Sequence, residues 1–150
     1  MSGVSVMALK RIQKEAQKCR DNPVDGVNLE VIGDAEWRVT IIGAEGTLYA
    51  GEVYVLSVIF TEAYPMESPI VVFSGNSPEH EHIYSNGHIC LNILGDDWSP
   101  ALTAQSVVLS ILSMMSSARK KERPRDDARY SASGVKNPKK TSFAYHDDSV

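Results

Sequence analysis

Cys90 is the residue of this chain whose type and surroundings most suggest chemistry. It follows a turn-forming Asn86-Gly87 pair, and the three histidines His80, His82 and His88 precede it within ten residues. A cysteine thiolate is a nucleophile and a metal ligand, whereas a buried thiol is chemically inert. The surroundings therefore leave four roles open: a zinc ligand, an inert core residue, the nucleophile of a hydrolase, or a carrier of an acyl group.

Zinc is one interpretation, because His80-x-His82 and His88-x-Cys90 offer four ligands within eleven residues. These spacings are not those of a familiar zinc module. One-residue gaps also direct neighbouring ligands to the same side only where the backbone stays extended. No metal is therefore expected, and metal analysis of the purified protein would test this.

The other roles differ in what they require around the thiol. A papain-like hydrolase needs a distant histidine base and a cysteine at a helix start, and the three histidines lie too near in sequence. Inert buried cysteines are common, but Cys90 follows a polar turn. A thioester carrier needs an accessible thiol and donors for the oxyanion that forms when an amine attacks. Asn86, His82 and the backbone N–H groups around Cys90 suit this last role.

The composition favours an intracellular globular protein. The chain has 150 residues, a net charge of −4 and two cysteines, Cys19 and Cys90, in different surroundings. We therefore expect one domain over residues 1–150, with no disulfide framework and a reducing compartment such as the cytoplasm or nucleus. The negative charge argues against nucleic acid as a partner, and no apolar run reaches the length needed to cross a membrane.

A helix and four short strands are predicted before the cysteine. Helical spacing of apolar residues marks the first segment, at Leu9, Ile12, Ala16 and Cys19. The β-like runs after it are Val27 to Ile32, Trp37 to Ile42, Val53 to Phe60 and Ile70 to Phe73. Their links are too short for helical crossovers, so an antiparallel meander is the economical arrangement. The predicted class is α+β.

A long loop and a second helix complete the predicted site region. The sequence from Ser74 to Pro100 has no clear periodicity, and a loop of this length in a compact domain is often functional. Thr103 is a plausible N-cap for the next helix. The apolar stripe of that helix consists of Ala104, Val107, Val108, Ile111, Leu112 and Met115, widened by Leu109 and Met114.

The character of the chain changes after Ser117. Residues 118–129 are dense in charge, and residues 131–141 are polar. We expect an atypical, irregular or mobile region over 118–150, with Tyr130, Phe143 and Tyr145 as possible anchors. A merely solvated tail is the alternative.

Several motifs in the same order resemble those of the ubiquitin-conjugating enzymes. They are Met7-Ala8-Leu9-Lys10-Arg11-Ile12, Gly46-Thr47-Leu48-Tyr49-Ala50-Gly51, Tyr64-Pro65-Met66-Glu67-Ser68-Pro69, the block around Cys90, and Trp98-Ser99-Pro100-Ala101-Leu102. The resemblance covers nearly the whole chain. It implies a four-stranded antiparallel sheet flanked by helices, in agreement with the predicted order of elements.

The resemblance also implies a function for named residues. Cys90 would accept the ubiquitin C-terminus from an activating enzyme, which consumes the ATP, and pass it to an amine without a cofactor in this chain. The residues matching the surface that contacts RING or U-box ligases are Lys10, Arg11, Lys14, Met66, Ser99, Pro100 and Ala101. A solvated helix face remains the alternative for the basic residues.

Two departures from the family pattern bear on the acceptor. Where the family has His-Pro-Asn, this chain has His80-Glu81-His82, so His82 stands in place of an Asn implied to support the oxyanion or the loop. After Ser117 the usual acidic or Ser gate residue is not matched, although Asp126 and Asp127 are nearby acids.

Both departures point to one branch of the family, which has a His-x-His triplet and a non-helical tail. Lys136-Asn137-Pro138-Lys139-Lys140-Thr141 and Tyr145-His146-Asp147-Asp148 resemble the tail of that branch, although Phe143 and Ala144 replace bulky aromatics. The branch implies transfer to the free N-terminal α-amine of a substrate with a flexible N-terminus. A lysine-directed carrier of ubiquitin or a ubiquitin-like protein, or a non-catalytic ubiquitin-binding variant, remains the alternative.

Overall fold

The computed structural model describes residues 3–134 and 136–140. Its first element is helix α1, Val6–Asp21. The helix begins where the Ser5 hydroxyl accepts a hydrogen bond of 3.1 Å from the N–H of Ala8, and it ends two residues before Pro23. Lys18 and Arg20 lie in the last turn, where positive charge favours the helix dipole.

Four strands form one antiparallel sheet in the order β1-β2-β3-β4, as the short links predict. The strands are β1 Val27–Gly33, β2 Glu36–Ile42, β3 Val53–Ile59 and β4 Ile70–Ser74. In β2, Trp37, Val39 and Ile41 are buried while Arg38 is exposed, so alternate residues face the core. The strand boundaries agree with the sequence prediction to within about two residues, the usual scatter of such boundaries.

Helix α2, Ala104–Ser116, packs its apolar stripe into the core. Thr103 caps it as predicted: its hydroxyl accepts from the N–H of Ser106, and the Ser106 hydroxyl accepts from the N–H of Thr103. The stripe is narrower than the sequence predicts, because Leu109 is 40% exposed. Leu109 borders the i, i+3, i+4 positions of the stripe and lies on the exposed side of the helix.

The long segment from Ser74 to Pro100 is folded back on itself and anchored in the core. Ile83 pairs with both His80 and Ile89 in isolated bridges, and Ile83 and Ile89 are almost fully buried. A single 3-10 turn follows at Asn92–Leu94. The side chains of these two isoleucines pack in the core and hold the backbone of the polar loop in a defined shape.

Two short ordered elements occur among the described residues that follow Ser117. A short helix, α3, spans Asp127–Ala132, and a 3-10 turn spans Pro138–Lys140. An element of six residues is too short to produce a helical pattern, and α3 is stabilised by burial of Tyr130. The predicted anchor Tyr130 is confirmed, whereas Phe143 and Tyr145 lie outside the described residues. Among the helices that the structure describes, none is both long and apolar enough to span a membrane.

Candidate active site

Cys90 lies beneath an aromatic cover and is only 3% exposed. It forms a small buried cluster with Tyr84 from its own loop and Tyr130 from α3. The two tyrosine rings lie 4.1 Å apart, centroid to centroid, at an angle of 35°. The expectation of an accessible thiol is therefore wrong for this conformation, because a side chain from far along the chain closes over the loop.

Burial changes the acidity of the thiol. Loss of hydration raises the pKa of Cys90 to about 12, and the nearby Asp126 carboxylate adds to the rise. No side chain among the described residues hydrogen bonds to the sulfur, so no histidine here acts as its base. The described histidines therefore form no papain-like pair with Cys90, and its burial fits a thiol that is activated when its cover opens.

The backbone around Cys90 is held by hydrogen bonds to neighbouring turns. The N–H of Cys90 donates to the His82 carbonyl at 2.8 Å, and the N–H of His88 donates to Asn86 Oδ1 at 3.1 Å. Gly87 adopts a φ of +93°, and its carbonyl accepts from the N–H of Phe73 at 2.9 Å. Asn86 thus closes the turn next to the thiol, and His82 contacts Cys90 through its main chain.

His80 links the loop to the end of α2. Its Nδ1 accepts the N–H of His82 at 3.0 Å, so the proton lies on Nε2, which donates to the Met114 carbonyl at 3.2 Å. Burial lowers the pKa of His80, which keeps the ring neutral as both hydrogen bonds require. His80 therefore serves as a neutral connector between the loop and α2.

His82 is buried within the loop, with its Nε2 3.7 Å from a carboxylate oxygen of Glu81. In the parts of the chain that the structure describes, no group of three or more His, Cys, Asp or Glu side chains is arranged to hold a metal ion. Both ring nitrogens of His80 are also used by protein hydrogen bonds. The arrangement therefore gives the zinc interpretation no support.

The cover over Cys90 is fixed by hydrogen bonds that the sequence does not reveal. The Tyr130 hydroxyl lies 2.6 Å from His88 Nδ1, and the Tyr84 hydroxyl donates to Asp126 at 3.0 Å. Asp127 accepts the N–H of Ser85 at 2.7 Å. The two acids that the sequence left unassigned therefore both face the thiol loop. The partners come from segments about forty residues apart, so no local pattern indicates them.

The residues expected to contact a ligase lie near one another on the surface. Lys10, Lys14, Met66, Pro100 and Ala101 are exposed, and Ser99 is half-buried. Two hydrogen bonds bring their segments together: Trp98 Nε1 donates to the Pro65 carbonyl at 2.9 Å, and Arg11 Nη2 donates to the Pro100 carbonyl at 2.9 Å.

Arg11 has internal partners as well. Its Nη2 also donates to the Leu102 carbonyl at 3.0 Å, and its Nε donates to Glu15 at 2.7 Å. Glu15 is buried at the joint between α1, the Tyr64 segment and the start of α2. Arg11 therefore organises the surface on which Lys10 and Lys14 are exposed.

A meander of four strands, a preceding helix and a cysteine loop before a central helix define the class of catalytic domains that carry ubiquitin on a thiol. Comparison with known proteins gives the same result. The family profile described as ubiquitin-conjugating enzyme matches residues 11–144. This chain belongs to the ubiquitin-conjugating enzyme family, whose members are transferases with a thioester intermediate and act with ubiquitin, an activating enzyme and ligases.

Comparison with individual members of the family shows which of them this chain resembles. The chain is 50% identical over 152 residues to "Ubiquitin-conjugating enzyme E2 W" of Caenorhabditis elegans, covering 98% of this chain and 100% of that protein. It is 49% identical over 150 residues to "Ubiquitin-conjugating enzyme 15" of Arabidopsis thaliana, covering 98% and 93%. The branch suggested by the His-x-His triplet and tail is thus that of enzyme W.

A solved structure supports the fold. The ubiquitin-conjugating enzyme UbcA1 of Agrocybe aegerita matches with a TM-score of 0.86 and 38% identity, over 90% of this chain and 100% of that one.

Proposed function

We propose that this enzyme carries ubiquitin as a thioester on Cys90 and transfers it to a substrate amine, preferentially the α-amine of a protein N-terminus. The observation that carries the proposal is the loop geometry: the thiol follows a turn built by Asn86 and Gly87, and the N–H of Cys90 donates to the His82 carbonyl. No cofactor in this chain is required, because the activating enzyme consumes the ATP.

The reaction has two acyl transfers. In the first, the Cys90 sulfur attacks the thioester carbonyl of ubiquitin on the activating enzyme, and the thiol of that enzyme leaves. In the second, a neutral amine attacks the carbonyl on Cys90, a C–N bond forms and the Cys90 thiolate leaves. The amine loses its proton to solvent or to a nearby carboxylate, of which Asp126 is one. Asn86, His82 and backbone N–H groups are proposed to support the oxyanion or the loop that surrounds it.

Amine acidity favours an α-amine as acceptor. At pH 7.4 roughly a quarter of α-amines are neutral, against about 0.1% of lysine side chains, given pKa values near 7.8 and 10.4. The difference in reactive fraction is a factor of a few hundred, or about 3 kcal/mol. An enzyme that receives an α-amine therefore needs less help from the site to remove a proton. The departure His80-Glu81-His82 from His-Pro-Asn supports this preference.

Thioester formation is tested on one gel. The protein is incubated with activating enzyme, ATP and ubiquitin, and a reductant-sensitive adduct is expected. Cys90→Ala should abolish the adduct, whereas Cys19→Ser should keep it, because Cys19 lies on α1 and donates to Gln105 at 3.0 Å. An adduct that persists in Cys90→Ala would contradict the assignment, and so would its absence in the wild type.

The acceptor is tested with one substrate in two forms, with a free and with an acetylated N-terminus. We expect labelling of the free form only, and equal labelling of both would overturn the preference. A version without lysines controls for side-chain transfer. Parallel reactions in which ubiquitin is replaced by a ubiquitin-like protein test whether Cys90 carries such a protein instead. Cys90 itself argues against a non-catalytic variant, since such variants lack the cysteine.

The partner ligase is proposed to be of the RING or U-box type and to contact Lys10, Lys14, Met66, Pro100 and Ala101. Ala101 is exposed, so Ala101→Asp should leave the fold intact and remove stimulation by a ligase. Discharge without ligase should be retained, and full stimulation of the variant would contradict the surface. The cytoplasm or nucleus is the proposed compartment, where the ATP-dependent activating enzyme acts.

A further inference from the structure

Arg123 lies on the segment between α2 and α3 and donates four hydrogen bonds into the loop that precedes Cys90. Its Nη1 donates to Ser77 Oγ at 3.1 Å, to the Pro78 carbonyl at 2.9 Å and to the Ile83 carbonyl at 3.2 Å. Its Nη2 donates to the Ser77 carbonyl at 3.0 Å. One guanidinium group is thus enclosed by the two ends of the segment 77–83.

This segment forms one wall of the site. It carries His80 and His82, and the His82 carbonyl accepts the N–H of Cys90 at 2.8 Å. Ser77 Oγ donates in turn to the Tyr84 carbonyl at 3.2 Å, which extends the same network to the aromatic neighbour of the thiol. A shift of the segment would therefore move the backbone that lies against Cys90.

The chain that follows Arg123 also lies against the candidate site. Pro124 is buried, and Asp126 then reaches the Tyr84 hydroxyl at 3.0 Å. Since Arg123 lies only a few residues before Asp126, its bonds to 77–83 also fix the place from which that chain starts. Arg123 joins these two parts of the candidate site.

We propose that Arg123 is a positioning residue for ubiquitin transfer, which holds the 77–83 segment in the shape that sets the geometry of attack on the Cys90 thioester. This inference rests on the proposed role of Cys90. The oxygens of Ser77, Pro78 and Ile83 all face one guanidinium group. To bind them together, a side chain needs a planar group with several fixed N–H donors, which arginine has and lysine lacks. Without the guanidinium, the carbonyls of Ser77, Pro78 and Ile83 lose a charged donor.

The test separates loading from transfer. Arg123→Gln and Arg123→Lys are compared with Arg125→Gln and Arg125→Lys, which change an exposed arginine two residues further on. Each variant is first charged by activating enzyme, ATP and ubiquitin. Discharge to a peptide with a free N-terminus is then followed in a single turnover, and the folded fraction is measured by circular dichroism.

We expect all four variants to load, and both Arg123 variants to discharge at least about tenfold more slowly, because small misplacement of reacting groups is costly. The Arg125 variants should match the wild type. A further variant, Arg123→Ala, leaves an empty space where the arginine side chain was. Methylguanidine can bind in that space, so adding it should restore part of the discharge rate of Arg123→Ala.

Three results would overturn the inference: discharge of the Arg123 variants at the wild-type rate, equal losses of loading and discharge that follow the folded fraction, or no rescue by methylguanidine. If Arg123→Gln does not fold, the discharge rate of Arg123→Lys decides. Failure of the proposed function is distinguishable, since it would appear as a wild-type protein that forms no reductant-sensitive adduct at Cys90.

Discussion

The Tyr130 hydroxyl lies 2.6 Å from His88 Nδ1, and this hydrogen bond joins α3 to the loop that bears the thiol. Tyr130 is 8% exposed and covers Cys90 together with Tyr84. Cys90 is only 3% exposed, so we predict that the proposed loading with ubiquitin requires this contact to open. The contact makes the reactivity of Cys90 depend on α3.

Removal of the cover should make the thiol more reactive. Tyr130→Ala lets water reach Cys90, so we expect its pKa to fall from about 12 and its alkylation by iodoacetamide at pH 8 to accelerate by tenfold or more. The measurement uses a Cys19→Ser background, so that only one thiol reacts. Tyr130→Phe keeps the ring and should give a smaller increase. An unchanged rate in Tyr130→Ala would show that Tyr130 does not limit access.

Glu15 should be essential to stability although it lies far from the thiol. Its carboxylate accepts from the Tyr64 hydroxyl at 2.5 Å, from Arg11 at 2.7 Å and from the N–H of Ala104 at 2.9 Å. Glu15→Ala leaves these donors without their acceptor and should lower the free energy of unfolding by about 3 kcal/mol. Urea denaturation followed by circular dichroism measures the loss.

Gln17→Ala on the exposed side of α1 is the matched control for Glu15. It should change the free energy of unfolding by no more than about 0.5 kcal/mol. A loss in Glu15→Ala as small as that of the control would mean that the three donors find other partners.

Gly87 should not tolerate a side chain. Its φ is +93°, and a Cβ there would lie 2.3 Å from the Phe73 carbonyl oxygen, so the backbone must shift. Gly87→Ala is expected to cost about 3 kcal/mol and to slow thioester formation. Gly75→Ala is the control, because its φ of +78° is similar but no atom lies within 4 Å of the new Cβ. That control should cost about 1 kcal/mol, and equal losses would exclude crowding at Gly87 as the cause.

Two buried histidines should make the protein sensitive to acid. Burial lowers the pKa of His80 and of His88 below 6.5, so the unfolded chain binds protons at a higher pH than the folded protein does. The stability is therefore complete above pH 6.5 and is lost as the pH falls towards the folded pKa values. The slope is at most about 1.4 kcal/mol per pH unit for each histidine.

Urea denaturation between pH 7.5 and 5.5 measures this slope, and His88→Gln should make it shallower. If the variant shows the same dependence of unfolding free energy on pH as the wild type, then His88 has the same pKa in the folded and unfolded states. Most carboxylates titrate below this window, so they contribute little to the comparison.

The sequence by itself determined the elements and the location of the thiol loop. Alternation of apolar residues indicated β2, and helical spacing together with the N-cap Thr103 indicated α2. Both signals depend only on residues that are close together in the sequence. The block around Cys90 was also recognisable, because a turn and a thiol with nearby histidines lie in one short segment.

Only the tertiary structure decided what surrounds that thiol. Tyr130 reaches His88 across 42 residues, and Arg123 reaches Ser77 across 46. The sequence offered no sign of either pairing, because a periodic pattern tells which side of an element is buried but not which distant residue covers it. The same limit applies to Leu109, an apolar residue that borders the stripe of α2 and is nevertheless exposed. Interactions between residues close in sequence therefore placed Cys90 in its loop. Packing between residues far apart in sequence decided that this loop is covered.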